Sequence, residues 1–245
     1  MPNNFKERFS QAVKETETVV NSYLPEETGH QKTIFEAMNY SVKAGGKRLR
    51  PLLMREVYRL FGGNGPEIEP FMAAMEMIHT SSLIHDDLPC MDNDEYRRGK
   101  LTTWKAYGYD MAVLAGDALM IYAFETASKA FSMGADPAKV GRAIGILAEK
   151  TGIYGMIGGQ TVDVELTGKA VPREKLDFIY RLKTGALLEA SMMIGAVLAG
   201  ATVEEIKEVE TMASEVGLAF QIQDDILDVT STQEELGKPV LSDEK

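Results

Sequence analysis

The most informative stretch of the chain runs from residue 79 to residue 95 and reads HTSSLIHDDLPCMDNDE. Its first half continues a long apolar helical pattern, and Asp86, Asp87 and Asp92 follow as a DDxxxxD motif. Pro89 ends the helix, so the chain can fold back and bring Asp92 towards Asp86. Carboxylates this close repel one another unless a cation or water lies between them. Mg²⁺ commonly takes one or two carboxylates plus substrate phosphate oxygens, so the stretch indicates either a Mg²⁺ site or a solvated acidic helix end.

A second acidic cluster, QIQDDILD, occupies residues 221–228. On a helix Gln221, Asp224 and Asp228 are spaced by three and four positions and therefore share one face, with Asp225 beside them. The flanking residues are apolar, and carboxylates on an apolar helix are costly without a partner. Two such clusters, far apart in sequence, favour two walls of a single metal–diphosphate site.

Basic residues gather close to these acidic motifs. Lys47 and Arg50 lie three apart in GGKRLRP, near a predicted helix start where backbone N–H groups also favour anions. Arg97 and Arg98 follow the first acidic cluster, and Lys183 interrupts another mostly apolar helix. Lys and Arg suit phosphate oxygens, although an ordinary basic surface loop is the alternative for GGKRLRP taken alone.

Helical patterning extends over nearly the whole chain, and no series of alternating strands is present. We expect an all-α fold, a single-domain bundle of long antiparallel helices around a central cavity. The predicted long helices, which exceed the usual mean of about 11–12 residues, are Glu67–Leu88, Tyr109–Met133, Ala138–Leu166, Arg173–Ala199 and Val203–Val229.

Composition narrows the class of protein. The chain has 245 residues with 44% hydrophobic and 26% charged residues, and a net charge of −11 argues against nucleic-acid binding. Cys90 is the single cysteine, which fits a reducing compartment. The start of the chain lacks a signal-peptide pattern, and the charge-free stretch Ala190–Val203 falls short of the roughly 20 residues that a membrane span needs. We therefore expect a cytoplasmic protein without stable membrane insertion.

The sequence resembles the polyprenyl (isoprenyl) diphosphate synthases, in particular the short-chain bacterial and plant-plastid type, the farnesyl and geranylgeranyl diphosphate synthases. The motifs occur in the expected order from about residue 45 to the end of the chain. They are GGKRLRP (45–51), SLIHDDLPCMDND (82–94), RRG (97–99), GGQ (158–160), KT (183–184) and QIQDDILD (221–228).

This resemblance implies an isoprenoid-synthase fold with two diphosphate sites and Mg²⁺ as the cofactor, about three ions per site. The aspartates that would hold Mg²⁺ on an allylic diphosphate are Asp86, Asp87, Asp92 and Asp224, with Asp225 and Asp228 completing the second motif through metal-bound water. The residues that would contact that diphosphate directly are Arg97, Lys183, Thr184, Gln221 and Lys238. The residues that would bind isopentenyl diphosphate are Lys47, Arg50, His79 and Arg98. Catalysis would depend on Asp86, Asp87, Asp92, Lys183 and Asp224.

The implied activity is that of a Mg²⁺-dependent trans-prenyltransferase, acting as a homodimer. It would condense isopentenyl diphosphate with the allylic dimethylallyl and geranyl diphosphates to give farnesyl diphosphate (C15). In this family a bulky aromatic just before the motif residue Ser82 is associated with farnesyl products. The small Ser81 here leaves room for a longer tail, so geranylgeranyl diphosphate (C20) is the alternative product, unless Met111 or Met120 closes the cavity floor. A class I terpene cyclase and a non-catalytic synthase subunit are weaker alternatives, since both aspartate motifs and the isopentenyl-site residues are present.

We expect residues 1–245 to form a single polyprenyl synthase domain. The family continues with further helices after its second aspartate motif, whereas this sequence ends at Lys245. The expected domain therefore lacks the family's C-terminal helices.

Overall fold

Helices dominate the part of the chain that the computed structural model describes, residues 2–230 without the side chains of residues 2, 3, 224, 225 and 227–229. The α-helices are α1 (Pro2–Ser22), α2 (Lys32–Val42), α3 (Leu49–Leu60), α4 (Glu69–Asp86), α5 (Thr103–Tyr107), α6 (Tyr109–Ser128), α7 (Pro137–Thr151), α8 (Met156–Leu166), α9 (Arg173–Ile179), α10 (Ala186–Ala199) and α11 (Val203–Thr230). Short 3₁₀ turns cover Pro66–Ile68 and Lys129–Met133, a π-helical turn covers Tyr180–Gly185, and the strands β1 (Tyr96–Arg97) and β2 (Lys100–Leu101) form a small antiparallel hairpin.

Two helices form the centre of the bundle. α4 packs chiefly against α6, and α10 packs against α3, α7 and α11. Both are apolar on nearly all faces, as expected for helices that neighbours surround. Phe71 and Met75 of α4 and Ile194 of α10 are fully buried in the core. The expectation of an all-α fold is confirmed.

The helix predicted over Ala138–Leu166 is wrong as a single element, because the chain breaks between α7 and α8. Gly152 and Gly155 stand in the break. Glycine is a poor helix former, and a Cβ at Gly155 would overlap the backbone of Lys150. The predicted helix Arg173–Ala199, by contrast, is a continuous helical segment that consists of α9, the π-helical turn and α10.

Two described segments, Tyr109–Met133 and Arg173–Ala199, are long and apolar enough to cross a membrane by length and composition. The central helix of a globular bundle passes the same test. In the second segment, 78% of the apolar window is buried inside the fold. Packing within the bundle therefore accounts for the apolar character of Arg173–Ala199.

Candidate active site

The first acidic motif lies where α4 ends. The loop after Asp86 turns back, as the sequence predicts, and the Asp92 backbone N–H donates to the Asp86 carbonyl oxygen at 2.9 Å. Asp86 Oδ1 accepts a hydrogen bond of 2.7 Å from Gln160 Nε2 on α8. Burial raises the pKa of Asp86 to about 6, although Lys183 opposes this effect. Partial burial likewise raises the pKa of Asp92, again against the influence of Lys183.

Asp87 has a different environment from its two companions. Its side chain is buried, and Oδ1 accepts from Arg97 Nε at 2.7 Å and lies 2.6 Å from the second guanidinium nitrogen. Burial raises the pKa of Asp87, and the bond to Arg97 works in the opposite direction. Burial also acts to lower the pKa of Arg97, but Asp87, Asp86 and Asp94 together raise that pKa. In this arrangement Asp87 positions Arg97, and the carboxylates turned towards Lys183 are Asp86 and Asp92.

Lys183 reaches the acidic motif from the π-helical turn. Its Nζ donates to Asp163 Oδ2 at 2.6 Å. Burial acts to lower the pKa of Lys183, but Asp86, Asp163 and Asp92 together raise it. π-Helical turns are uncommon and often occur at functional sites. Here α8 approaches so closely that a Cβ at Gly159 would overlap the Lys183 backbone nitrogen.

A second, basic pocket lies about two turns earlier along α4, about 10 Å from the acidic end. Arg50 approaches His79 Nε2 at 3.4 Å, and within residues 2–230 the Arg50 Nε is buried without a hydrogen-bond partner. Burial, then the neighbouring Arg50 and Arg98, hold the pKa of His79 well below its usual value. Burial and Arg98 also lower the pKa of Arg50. Two neighbouring arginines beside a histidine that burial keeps neutral form a pocket that is suited to an anion.

The hairpin β1–β2 delivers two adjacent arginines to the two sites. Arg97 bonds Asp87 in the acidic site, whereas Arg98 adopts a left-handed backbone with φ 52° and donates to the Gly45 carbonyl oxygen beside the basic pocket. Gly46 permits this contact, because a Cβ there would lie 2.9 Å from the Arg98 guanidinium. The hairpin therefore links the two sites.

The remaining described residues that were predicted for the site lie on α4, on the π-helical turn, on α11 and just before α3. Thr184 Oγ1 donates to Gln221 Oε1 at 2.9 Å, which connects the π-helical turn to α11. Lys47 is exposed and its Nζ lies 5.9 Å from the centre of the Phe220 ring, also on α11. Ser81 and Ser82 donate to carbonyl oxygens of α4 itself, and Ser81 is fully buried.

The second aspartate motif is only partly described. Asp224, Asp225 and Asp228 lie on α11, but their side chains fall outside the described residues, and Lys238 lies outside them entirely. Among the side chains that the structure describes, no three of His, Cys, Asp or Glu converge tightly enough to hold a metal ion alone. The described aspartates thus form an open set rather than a closed metal cage.

Sequence reasoning missed two buried charges behind the basic pocket. Arg48 and Glu76 are 3% and 2% exposed and share a hydrogen bond of 2.6 Å. A signal was present, since Glu76 is a lone carboxylate in the apolar run FMAAMEMI and such a group needs a partner. Sequence position alone does not reveal that the partner is the arginine between Lys47 and Arg50.

Comparisons with known proteins show which family the chain resembles. A family model described as polyprenyl synthetase matches residues 31–245. The chloroplastic geranylgeranyl pyrophosphate synthase of Capsicum annuum is 50% identical over 206 residues, covering 84% of this chain and 56% of that protein. The farnesyl diphosphate synthase of Geobacillus stearothermophilus is 45% identical over 228 residues, covering 93% of this chain and 76% of that protein.

A solved structure supports the same relationship. A FPP/GFPP synthase from Zymomonas mobilis matches with a TM-score of 0.87 at 37% identity, covering 95% of this chain and 84% of that one. The chain spans little more than half the length of the Capsicum annuum relative. With the family model matched over most of its length, the chain belongs to the polyprenyl synthetase family.

Proposed function

We propose that the protein is a Mg²⁺-dependent trans-prenyltransferase that joins isopentenyl diphosphate to dimethylallyl and geranyl diphosphates and releases farnesyl diphosphate. The observation that carries this proposal is the pair of unlike anion sites on one helix. The acidic end of α4, with Lys183 and Arg97, suits a metal-bound diphosphate. The basic pocket around Arg50 and His79 suits a diphosphate without metal. An enzyme that condenses two diphosphates needs one site of each kind.

The acidic site fits Mg²⁺ by the chemistry of its donors. Burial raises the pKa of Asp86, which means that the nearby cations of the protein do not fully compensate for the desolvation of its negative charge. Mg²⁺ keeps several waters and substrate oxygens and rarely occupies an all-protein cage, which agrees with the open arrangement of Asp86 and Asp92. Bound Mg²⁺ would stabilise the negative charge that develops on the leaving diphosphate.

The protein's own residues would do three things during the reaction. Lys183 and Arg97 would hold the allylic diphosphate oxygens as the C–O bond breaks, adding fixed positive charge to the leaving group. Arg50 and His79 would hold isopentenyl diphosphate with its double bond towards the cation. The apolar walls formed by α4 and α6 would exclude water, which would otherwise capture the cation as an alcohol.

A C20 product is the second candidate. Ser81 is small and fully buried on α4, so this position does not itself block a longer hydrocarbon tail. The Capsicum annuum relative is named a geranylgeranyl pyrophosphate synthase. In this candidate, the product length would depend on which side chains limit the space for the hydrocarbon tail.

We further propose a cytoplasmic homodimer. α6 exposes Leu114 and Ile121, 54% and 71% exposed, seven residues apart and hence on one helix face. Met111 and Ala118 continue this face, and the start of α2 adds Ile34 beside it. A mostly apolar exposed face, here with Asp117 among its residues, is typical of a protein–protein interface.

A product assay tests the proposal. Purified protein, Mg²⁺ and labelled isopentenyl diphosphate are incubated with C5, C10 or C15 allylic diphosphates, and chain lengths are read by mass spectrometry. Accumulation of C15 from the C5 and C10 primers is expected, and EDTA should abolish it. Accumulation of C20 would favour the second candidate, and absence of any elongated product would refute the prenyltransferase assignment.

A further inference from the structure

Arg48, immediately before α3, is a buried charge that the proposed chemistry does not use directly. Its backbone is left-handed, with φ 50°, an arrangement that side chains other than glycine rarely adopt. Its guanidinium donates to Glu76 Oε1 at 2.6 Å and to the Val42 carbonyl oxygen at 2.7 Å, and its Nε lies 3.6 Å from Glu17 Oε1. One side chain thus joins the start of α3 to α1, α2 and α4.

Stability alone explains this arrangement poorly. A buried ion pair often adds little net stability, because desolvation of both charges offsets their attraction. The left-handed backbone adds further strain. Strained backbone conformations that the surrounding contacts maintain occur often at functional sites.

The position of the tether indicates what it holds. Arg48 stands between Lys47 and Arg50 in the sequence. Contacts that hold the backbone of Arg48 in one conformation therefore also restrict the directions of the Lys47 and Arg50 side chains. Glu76 lies three residues, about one helical turn, before His79 on α4. The Arg48–Glu76 pair therefore connects the two walls of the basic pocket, one carrying Arg50 and the other His79.

We propose that Arg48 and Glu76 are positioning residues for the isopentenyl diphosphate pocket, setting the spacing between Arg50 and His79. This inference rests on the proposed function for the identity of the substrate. It does not require either residue to touch that substrate.

A purely electrostatic role and a positioning role of Glu76 predict opposite changes in anion affinity for Glu76→Gln. Glu76 is a counter-charge to Arg50 and Arg98, so removal of its charge alone would raise the positive potential and tighten anion binding. The tether would also weaken, because the glutamine oxygen accepts from Arg48 less strongly than the carboxylate does, and a looser pocket would bind the anion less tightly. Calorimetric titration with inorganic pyrophosphate in EDTA, where the arginine pocket is the expected binding site, measures this sign without requiring turnover.

Arg48→Met and Arg48→Lys test the other end of the tether. Lysine keeps the charge but lacks the planar fork that reaches two acceptors. We expect KM for isopentenyl diphosphate to rise about tenfold in Arg48→Met and less in Arg48→Lys, with the allylic KM unchanged. The double variant Arg48→Met with Glu76→Gln should have a KM for isopentenyl diphosphate no higher than that of the more affected single variant. Both substitutions act on the same Arg48–Glu76 contact, so their effects should not add.

Arg55→Met is the matched control. Arg55 is also a buried arginine of α3, paired with Glu15 of α1 at 3.4 Å, but it lies away from the pocket. We expect Arg55→Met to lower the melting temperature about as much as Arg48→Met does, and to leave the KM for isopentenyl diphosphate unchanged. The inference is overturned if Arg55→Met raises that KM as much as Arg48→Met, or if Glu76→Gln tightens pyrophosphate binding. An inactive wild-type protein would refute the proposed function, while the pyrophosphate titrations would still decide the positioning role.

Discussion

At the scale of single residues, the aspartates of the first motif differ in how their charge is balanced. Asp87 has a hydrogen-bonded ion pair with Arg97, whereas Asp86 accepts a hydrogen bond from the Gln160 amide and interacts with Lys183 and Arg97 through their charge. Identical residue types in one motif therefore have separate tasks. Asp87 orients Arg97, and Asp86 is the group that most needs an added cation.

Asp86→Asn tests this difference. Under the proposed function, we expect kcat to fall by about two orders of magnitude or more, because the leaving diphosphate would lose the stabilising metal that Asp86 would hold, with the melting temperature nearly unchanged. Steady-state kinetics and thermal unfolding by circular dichroism measure both. Asp177→Asn, which changes an exposed carboxylate of α9, is the control and should retain wild-type kcat. Full activity in Asp86→Asn would contradict the assignment of the metal site.

His79 predicts a pH dependence of stability. Burial and the nearby arginines depress its pKa in the folded state, so the folded protein keeps it neutral while the unfolded chain takes up a proton below about pH 6.5. The free energy of unfolding should then fall as pH drops below that value, by at most about 1.4 kcal/mol per pH unit from this group. Urea unfolding between pH 7.5 and 5.5 should show a shallower fall in His79→Gln. Equal slopes in the two proteins would exclude this contribution.

Ser81 tests the product cavity. If a cavity lies beside Ser81, Ser81→Phe should shorten the main product by one C5 unit with little loss of stability. Ser191→Phe is the control, because Ser191 is equally buried on α10 and has the same hydroxyl-to-carbonyl bond. Overpacking there should cost about 1–3 kcal/mol. Mass spectrometry and thermal melts distinguish the two, and a strongly destabilised Ser81→Phe with unchanged products would contradict a cavity at this position.

At the scale of elements, the contact between α8 and the π-helical turn sets the direction of Lys183. The π-helical turn shifts the positions of Lys183 and Thr184 relative to a regular helix. Gly159 allows α8 to approach the backbone of that turn, and Gln160 then reaches Asp86. In the GGQ motif, Gly159 thus makes the close contact with the backbone of the turn, and Gln160 donates the hydrogen bond to Asp86.

Gly159→Ala should disturb this contact. The new Cβ would overlap the Lys183 backbone nitrogen, so we expect a loss of about 1–3 kcal/mol in unfolding free energy together with a fall in kcat. Gly145→Ala on α7 is the control, since a Cβ there meets no atom within 4 Å. That change should be neutral or stabilising by about 0.5–1 kcal/mol. Similar behaviour of the two variants in urea unfolding would contradict the close-packing account.

Periodicity predicted the helices but not their internal irregularities. α4 and α6 could be predicted because apolar residues and helix formers continue without a break. The π-helical turn could not be predicted as such, because Thr184 and Gly185 are weak helix formers that indicate only a possible irregularity, and its form depends on packing against α8. The Asp86–Asp92 fold-back could be predicted from Pro89, whereas the Arg97–Asp87 pair could not, because it depends on the hairpin.

At the scale of the whole molecule, the exposed face of α6 predicts self-association. Leu114→Lys combined with Ile121→Lys should convert a dimer to a monomer, because charged groups at the centre of an apolar interface are costly to desolvate. Sedimentation velocity measures the mass directly. Ile153→Lys is the control, since Ile153 is also exposed but lies in the break between α7 and α8. A wild-type monomer, or a double variant that remains dimeric, would contradict this interface.

The β1–β2 hairpin has a consequence for how such an enzyme can evolve. Arg97 and Arg98 are consecutive, yet one serves the acidic site and the other the basic pocket, because the backbone reverses its handedness at Arg98 and Gly99. A one-residue insertion or deletion in this turn would move both guanidinium groups away from their present partners and disturb both sites at once. Under the proposed function, the affinity for one substrate alone would therefore be adjusted by substitutions rather than by changes in the length of this turn.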